Sequence, residues 1–505
     1  MARMAVIGGE TGGRGLFGGS RSSMEWTGMV FFIILAIPAP LSSAGSWLGL
    51  LVAALLCLLA YALFTPFALA QDRSIAALGM QRMFFKYLNL TGQNSFDPQA
   101  VPAGKRSFWQ VFFRVRPGGN VPLFVGQARW FEVQLAGAQP IVVFRHNAAG
   151  QKYFAVVMEV SAAADSLKEE RGHDAGHIGF GRLLATQAKE NTLITRIQEL
   201  SRAVPMDSSD HASWVTAKMP ANVPAVLRAS YEQLIDRTRS SSEQHRSYYV
   251  AYIPDDFKFQ EKAAQAGAGH SGDGPVIVAE LQKLAAQAKR AGLRGVRPLD
   301  KARCAALFRA LQDPSFDIDD TTGVSLETCW QKMDGTNRNH VVINDGWVTK
   351  TAYVRVTDIS PDAQPVQMLR PLLTGVHPSM VRTVSAVIDL VPARKARGKA
   401  KSDHAQDRAT KKKREQEDTV TDGGDEVLFN ASRQRLIDLK PGSQHHGASY
   451  GLYITITVPG VDALPAAQGA IEGVAADCGI EQLTWLNGRH YLALGMGLPL
   501  GRGIR

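Results

Sequence analysis

Few residues of this chain stand in an arrangement that could do chemistry. His173, Asp174 and His177 fall within Arg171-Gly-His-Asp-Ala-Gly-His177. Two imidazoles four residues apart meet one metal only on a helix, and Gly172 and Gly176 argue against a helix there. The paired carboxylates Asp255-Asp256 and Asp319-Asp320 sit in polar turns, where capping is the default role. A phosphate loop needs GxxxxGK followed by Ser or Thr, so that backbone amides cradle the phosphates and the lysine reaches them. Gly104-Lys105 is followed by Arg106, and Gly398-Lys399 by Ala400. No HExxH, GxSxG or cysteine–histidine pattern occurs. The expectation is a non-enzymatic chain with no catalytic, cofactor-binding or metal-binding residue.

The elements that surround these residues say more. The chain has 505 residues, 45% hydrophobic and 20% charged, enough for two or three units that bury their own cores. Its formal charge of +10 suits an anionic neighbour, lipid or nucleic acid, without choosing between them. Cys57, Cys304, Cys329 and Cys478 are scattered and form no zinc-type spacing, which points to a reducing compartment.

No charged residue lies between Glu25 and Asp72. The stretch Trp26–Gln71 is long enough for two spans, broken at Pro38, Pro40 and the small polar run from Leu41 to Ser46. The reading is a transmembrane hairpin with spans near Met24–Ala39 and Trp47–Ala70. Trp26, Trp47, Phe67 and Arg73 mark the membrane interfaces. Arg14 and Arg21 before the hairpin, and Arg73, Arg82 and Lys86 after it, place both ends and the main body in the cytoplasm. A cleaved leader ending near Ser42-Ser43-Ala44 is the rival reading, and it would be unusually long. Ile75, Leu78, Met83, Phe84, Tyr87 and Leu88 then predict an amphipathic helix, lying on the inner leaflet or packed on the body.

The body reads as α+β. Strands are predicted at Phe131–Leu135, Ile141–His146, Tyr153–Val160, Thr192–Val204, Arg246–Ile253, Trp347–Val356, Val381–Val391 and Tyr450–Val458. Helices are predicted at Gly179–Glu190, Pro224–Arg237, Val276–Ala291, Lys301–Leu311, Val366–Leu373 and Ala463–Cys478. Gln482–Leu486 and His490–Leu494 read as a hairpin around Asn487-Gly488. No internal repeat is evident.

From Arg394 to Arg414 ten Lys or Arg stand against Asp403 and Asp407 alone, and Glu415–Glu426 is acidic. This is a solvated helical arm or flexible insert. Its functional reading is a partner or anion patch of Arg394, Lys395, Arg397, Lys411, Lys412, Lys413 and Arg414. The division is then a Gly-rich tail over 1–23, the hairpin over 24–71, the α+β domain over 72–393, the charged arm over 394–430 and a C-terminal α/β subdomain over 431–505.

Several stretches together carry a resemblance. They are Phe180-Gly-Arg-Leu-Leu-Ala-Thr186, Arg196–Pro205, Ala291-Gly-Leu-Arg-Gly-Val-Arg-Pro-Leu299, Leu307–Pro314 and Leu498-Pro-Leu-Gly-Arg-Gly503. Their order and spacing resemble an actinobacterial family of membrane proteins found with conjugation and type IV secretion-like systems. The body is more distantly similar to the N-terminal, non-motor region of conjugative transfer ATPases. The hairpin resembles the small PrgI-like subunit that docks that region to the membrane. The resemblance implies an inner-membrane scaffold without its own motor, on which a separate hexameric transfer ATPase and other membrane channel subunits assemble. It transfers no catalytic residue. Anionic lipid, and DNA through the basic arm, are further candidate partners. A scaffold of a type VII secretion complex is the alternative, and a membrane-bound enzyme with an unrecognised site is the reading from another class.

Overall fold

In the computed structural model the described residues are 4–6, 23–36, 47–64, 66–67, 73–98, 121–135, 139–148, 151–161, 170–205, 214–215, 217–220, 222–319, 321–355, 358–360, 363–365, 367–377, 380–416, 424–441 and 446–503. The chain divides into two compact units, one of residues 10–93 and one of residues 1–9 with 94–505.

The smaller unit corrects the membrane reading. Its charge-free stretch forms helices Ser23–Ala36 and Trp47–Phe64, of 14 and 18 residues. At 1.5 Å per residue they measure about 21 and 27 Å, against a hydrocarbon core of about 30 Å. Among the described residues no helix is long and apolar enough to cross a membrane. The physical reason is length: the described helices end at Ala36 and Phe64, short of the expected Ala39 and Ala70. The α+β body is therefore not preceded by a demonstrated transmembrane hairpin, and the two-span inner-membrane placement, with its cytoplasmic ends, falls with it. Residues 37–46 and the leader-like site near Ser42 lie outside the described residues. The two helices pack on each other, and helix Ile75–Leu90, capped by the Ser74 hydroxyl accepting from the Ala77 amide, packs on the second.

The larger unit is built on one sheet of thirteen strands, all pairs antiparallel. In chain order these are β1 (Ser95–Phe96), β2 (Gln127–Val133), β3 (Ile141–Ala148), β4 (Gln151–Ser161), β5 (Arg196–Pro205), β6 (Glu243–Pro254), β7 (Arg294–Pro298), β8 (Met333–Asp334), β9 (Val341–Ile343), β10 (Trp347–Val354), β11 (Val381–Val391), β12 (Gly447–Pro459) and β13 (Thr484–Trp485). The spatial order is β1-β8-β9-β10-β12-β11-β5-β6-β4-β3-β2, with β7 added on β4 and β13 added on β10. The predicted strand Val381–Val391 matches β11 at both ends.

This order contains a repeat that the sequence does not announce. The path β2-β3-β4-β6-β5, with β7 on β4, is matched by β8-β9-β10-β12-β11, with β13 on β10. The register matches as well. Pro254 lies opposite Tyr153, and Pro459 opposite Trp347. Pro298 pairs with Met158, and Trp485 with Ala352. Just beyond each added strand, the Leu299 amide donates to the Val157 carbonyl and the Leu486 amide to the Thr351 carbonyl. Helices Asp273–Arg290 and Leu464–Asp477 stop alike. Gly292 and Gly479 take φ of 83° and 70°, and the amides of Leu293 and Ile480 reach back to Ala288 and Ala475. The repeats meet through β5 and β11. Their antiparallel register places a pseudo-two-fold axis at the Leu200–Ser385 pair. The absence of a repeat, as read from the sequence, is thus corrected.

Both faces of the sheet are buried, as β12 illustrates. Leu452, Ile454, Ile456 and Val458 enter the core beneath helices Arg370–Thr374 and Leu464–Asp477, whereas Tyr453, Thr455 and Thr457 point to the other face. On the first side the first repeat is covered by helices Glu170–Gln187, Phe257–Ala266 and Asp273–Arg290, through Leu183, Phe259, Ile277 and Leu281. Gly179 lets the first of these approach closely, since a Cβ there would stand 1.9 Å from the Ala291 carbonyl oxygen. The opposite face is covered by helix Lys301–Gln312 and by the C-terminal segment, through Cys304, Phe308, Tyr491, Leu494 and Leu498.

Asn487-Gly488 makes no hairpin. His490–Ala493 is a helical turn, and the chain bends into it where, in the first repeat, it bends into helix Lys301–Gln312. The local turn signal is real, with Gly488 at φ 77°, but the element after the turn is set by the repeat.

Candidate partner-binding surfaces

The buried polar groups chiefly hold the fold together. Gln198 donates to the Ser385 hydroxyl and to the Met496 and Leu498 carbonyls, and accepts from the Gly501 amide. Arg196 reaches the Gly501 carbonyl and Asp389. Arg502 donates to the Val125 carbonyl, the Tyr153 hydroxyl and His146 Nδ1. These bonds strap the C-terminal segment across the seam between the repeats. Burial, and then the Arg502 guanidinium, hold the His146 pKa well below its ordinary value, so the ring is neutral and its Nδ1 accepts. Arg202 ties the Ala310 and Leu311 carbonyls to Thr383, and burial lowers its pKa to about 10.

The acidic pairs divide between capping and ion pairing. Asp256 caps helix Phe257–Ala266 by accepting from the Phe259 amide at 3.0 Å. Asp255 pairs with Arg145 at 2.8 Å. Asp319 is no cap: it pairs with Arg246 and Arg303, which also approach Glu159. Asp320 lies outside the described residues. His173 and His177 do share a helix, because Glu170–Gln187 runs through Gly172 and Gly176. Among the described residues no group of three potential ligands could hold a metal ion.

Two surfaces stand out from this structural background. They occupy matching places in the chain, between β5 and β6 in the first repeat and between β11 and β12 in the second. The first is apolar. Helix Ala225–Ser241 begins after Pro224, which takes the position before its first residue rather than the first position itself. The helix leaves Val226, Leu227 and Leu234 exposed, and Trp214 beside it is 59% exposed. Trp214, Lys218, Met219, Val223, Leu227 and Tyr231 line a cavity of about 280 Å³.

The second surface is the charged arm, and the structure makes it an ordered antiparallel pair of helices, Ala393–Gln416 and Gly424–Asp438. The inner side of the first helix carries the buried Ala396 and Ala400. His404 packs at a tilt against the Phe429 ring and meets Ser432, and Asp403 faces Arg435 at 3.7 Å. Lys411 lies 5.1 Å above the Phe429 ring, on the packing side, and the half-buried Arg397 donates to its own helix at the Ala393 carbonyl. Arg394, Lys395 and Lys412 are exposed, while the side chains of Lys413 and Arg414 lie outside the described residues. The structure therefore splits the predicted patch, and it adds the exposed Lys399, Lys401 and Arg408, which charge density alone does not single out. The helix has alanines on both its buried and its exposed sides, so the sequence alone does not show which side faces outward.

The membrane-interface residues fare differently. Trp26 lies within helix Ser23–Ala36, Trp47 begins helix Trp47–Phe64, and Phe67 pairs with Arg73 in a two-residue ladder. No helix among the described residues is long and apolar enough to cross a membrane, so the fold gives these four positions no span to flank.

No protein-family model and no curated protein sequence matches the chain.

Proposed function

We propose that this chain is a non-enzymatic scaffold subunit that docks a separate ATPase into a multi-subunit transfer complex. The observation that carries the reading is the exposed pair Trp214 and Leu227, which line an open cavity with Met219, Val223 and Tyr231, beside the exposed Val226 and Leu234 of the same helix. Contiguous apolar surface of this kind on a folded body marks a contact surface for another protein, and an exposed tryptophan beside a cavity is the usual centre of such a contact. The partner class rests on the resemblance of the body to the non-motor region of transfer ATPases.

The test is affinity capture of the full chain from native extract, with Trp214→Ser/Leu227→Ser/Leu234→Ser in parallel. The reading expects an ATPase to co-purify with the natural chain and to be lost with the triple variant. Failure to recover an ATPase with either chain would overturn it.

A further inference from the structure

The charged arm has a geometry that a solvated helix does not require. With about 100° between successive residues, the side chains of helix Ala393–Gln416 sort into bands. Arg394, Lys401, Arg408 and Lys412 fall within about 40° of one another, along about 27 Å of helix. Lys395 and Lys399 form a second row, about 135° around the helix from the first. All six are exposed. Between the rows run Gly398, Ser402, Ala405 and Ala409, small and also exposed. The two acidic residues along the length of the rows stand elsewhere: Asp403 and Asp407 are half-buried on the side that packs against helix Gly424–Asp438. The outward side is therefore a trough of small residues between two cationic banks, with no carboxylate among its described side chains.

We infer that this face binds the backbone of double-stranded nucleic acid, with the helix seated in the major groove. The groove is about 12 Å wide and admits one α-helix, and phosphates line both of its rims. A helix placed there meets anions on two flanks at once, which is the arrangement of the two rows. Its innermost strip must be slender, and here it is glycine, serine and alanine. Along the length of the two rows, 394–412, that strip holds no Arg, Asn or Gln to read base edges, and its one glutamine, Gln416, lies beyond them at the end of the helix, so the binding is independent of sequence.

Competing occupants fit less well. A flat anionic bilayer touches one bank at a time, because the rows diverge around the helix, and the strip between them offers no large apolar side chain to insert. An acidic partner helix would bury mostly Cβ atoms and form exposed ion pairs, each contributing at most about 1 kcal/mol. A duplex gains from counterion release at every phosphate contact. The inference goes beyond the docking reading and does not depend on it.

The experiment is a binding titration of the full chain against short duplex DNA of unrelated sequences, across a range of salt. Six phosphate contacts should make the affinity fall about a thousandfold between ~50 and ~200 mM salt. The variant Arg394→Gln/Lys401→Gln/Arg408→Gln/Lys412→Gln should remove about 3 to 4 units from the slope of log affinity against log salt. Lys395→Gln/Lys399→Gln should remove about 2 units on its own. Glutamine keeps helix propensity close to that of lysine and arginine, so the arm persists in both. Arg228→Gln/Arg433→Gln, exposed cations outside the trough, should leave the slope unchanged. A single-stranded oligonucleotide should bind more weakly than the duplex, and phosphatidylserine vesicles should not compete. The inference is overturned by absence of duplex binding at low salt, by equal binding of the quadruple variant, by dependence on one row alone, or by vesicles displacing the duplex. Loss of ATPase capture in the Trp214 variant would leave duplex binding unchanged, so the two readings fail separately.

Discussion

The first and second repeats share a strand path, yet the face beneath helix Lys301–Gln312 and the C-terminal segment is filled differently in each. In the first repeat the cross-strand pairs there are Ala155–Tyr252 and Val157–Val250. The matching pairs in the second are Thr349–Thr457 and Thr351–Thr455. Each threonine pair exchanges a hydroxyl hydrogen bond at 3.1 Å, and all four residues are buried. The cover differs in step. Twelve residues of helix with Phe308 at the centre pack on the apolar version, and a four-residue helix followed by a glycine-rich strap packs on the hydroxyl version. One topology thus accepts two core chemistries, provided every buried hydroxyl finds its partner.

The largest effect is expected where the repeats join. Arg382 and Ile197 occupy matching positions, and their seam pairs are Arg382–Ala203 on one side of the axis and Ile197–Ile388 on the other. Arg382 is fully buried. It holds both Glu243 oxygens, at 2.8 and 2.9 Å, and the Leu372 carbonyl at 2.8 Å. Arg382→Met should lower stability by about 3 to 5 kcal/mol, because it leaves the Glu243 carboxylate without its cation. Adding Glu243→Gln should restore a large part of the loss, measured by chemical denaturation. Full additivity of the two losses would mean that the pair does not tie the repeats together.

The hydroxyl pairs offer the next test. Thr351→Val strands the Thr455 hydroxyl and should cost about 1 to 3 kcal/mol. Thr351→Val with Thr455→Val recreates the Val157–Val250 pair of the sister repeat and should cost less than the single change. Additive costs would show that the threonines act separately, and the comparison of the two faces would fail.

How much of this can be read from the chain depends on whether each feature is local. Strand β11 and helix Lys301–Gln312 are legible because runs of β-branched residues and helical apolar spacing are local signals. The repeat is not. Residues 291–299 and 478–486 match in position, but only Gly292 with Gly479 and Leu299 with Leu486 are identical. A packed sheet demands apolar side chains and a left-handed glycine at fixed places, and leaves identity free elsewhere. The hairpin expected at Asn487-Gly488 fails for the same reason, since a turn signal does not specify the element beyond the turn. The charged arm is legible as a helix. Its two cationic rows become visible only once Ala396 and Ala400 fix the inward side. The apolar patch around Trp214 gives no signal, because an exposed leucine and a buried one are written alike.

A smaller effect is expected at Glu199, whose match in the second repeat is the buried Val384. Burial pushes the Glu199 pKa up from 4.5 to about 7. The unfolded chain gives up this proton at lower pH than the folded one. Stability from this group is therefore complete below the unfolded value and declines as pH rises through about 7. Glu199→Gln should remove the decline and raise stability by about 2 kcal/mol at pH ~8, with little change at pH ~4. Urea midpoints at the two pH values check this. An unchanged pH dependence in the variant would place the titration elsewhere.

The smallest effect separates two residues that stand at matching turns. Asp300 caps helix Lys301–Gln312, accepting from the Arg303 amide at 2.8 Å. Asn487 instead meets His490 Nε2 at 3.1 Å, while His490 Nδ1 accepts from the Thr351 amide at 3.2 Å. Burial, with Lys350 and His340 nearby, pushes the His490 pKa down to about 3, so the ring is neutral and carries its proton on Nε2. Asp300→Ala and Asn487→Ala should each cost about 1 kcal/mol, by different routes. The first should speed amide exchange across the opening turn of the helix. The second should leave backbone exchange in place and change the His490 ring resonances. If Asn487→Ala instead exposed the amides of residues 488–491, Asn487 would be a backbone cap like Asp300, and the two turns would have kept one role rather than diverged.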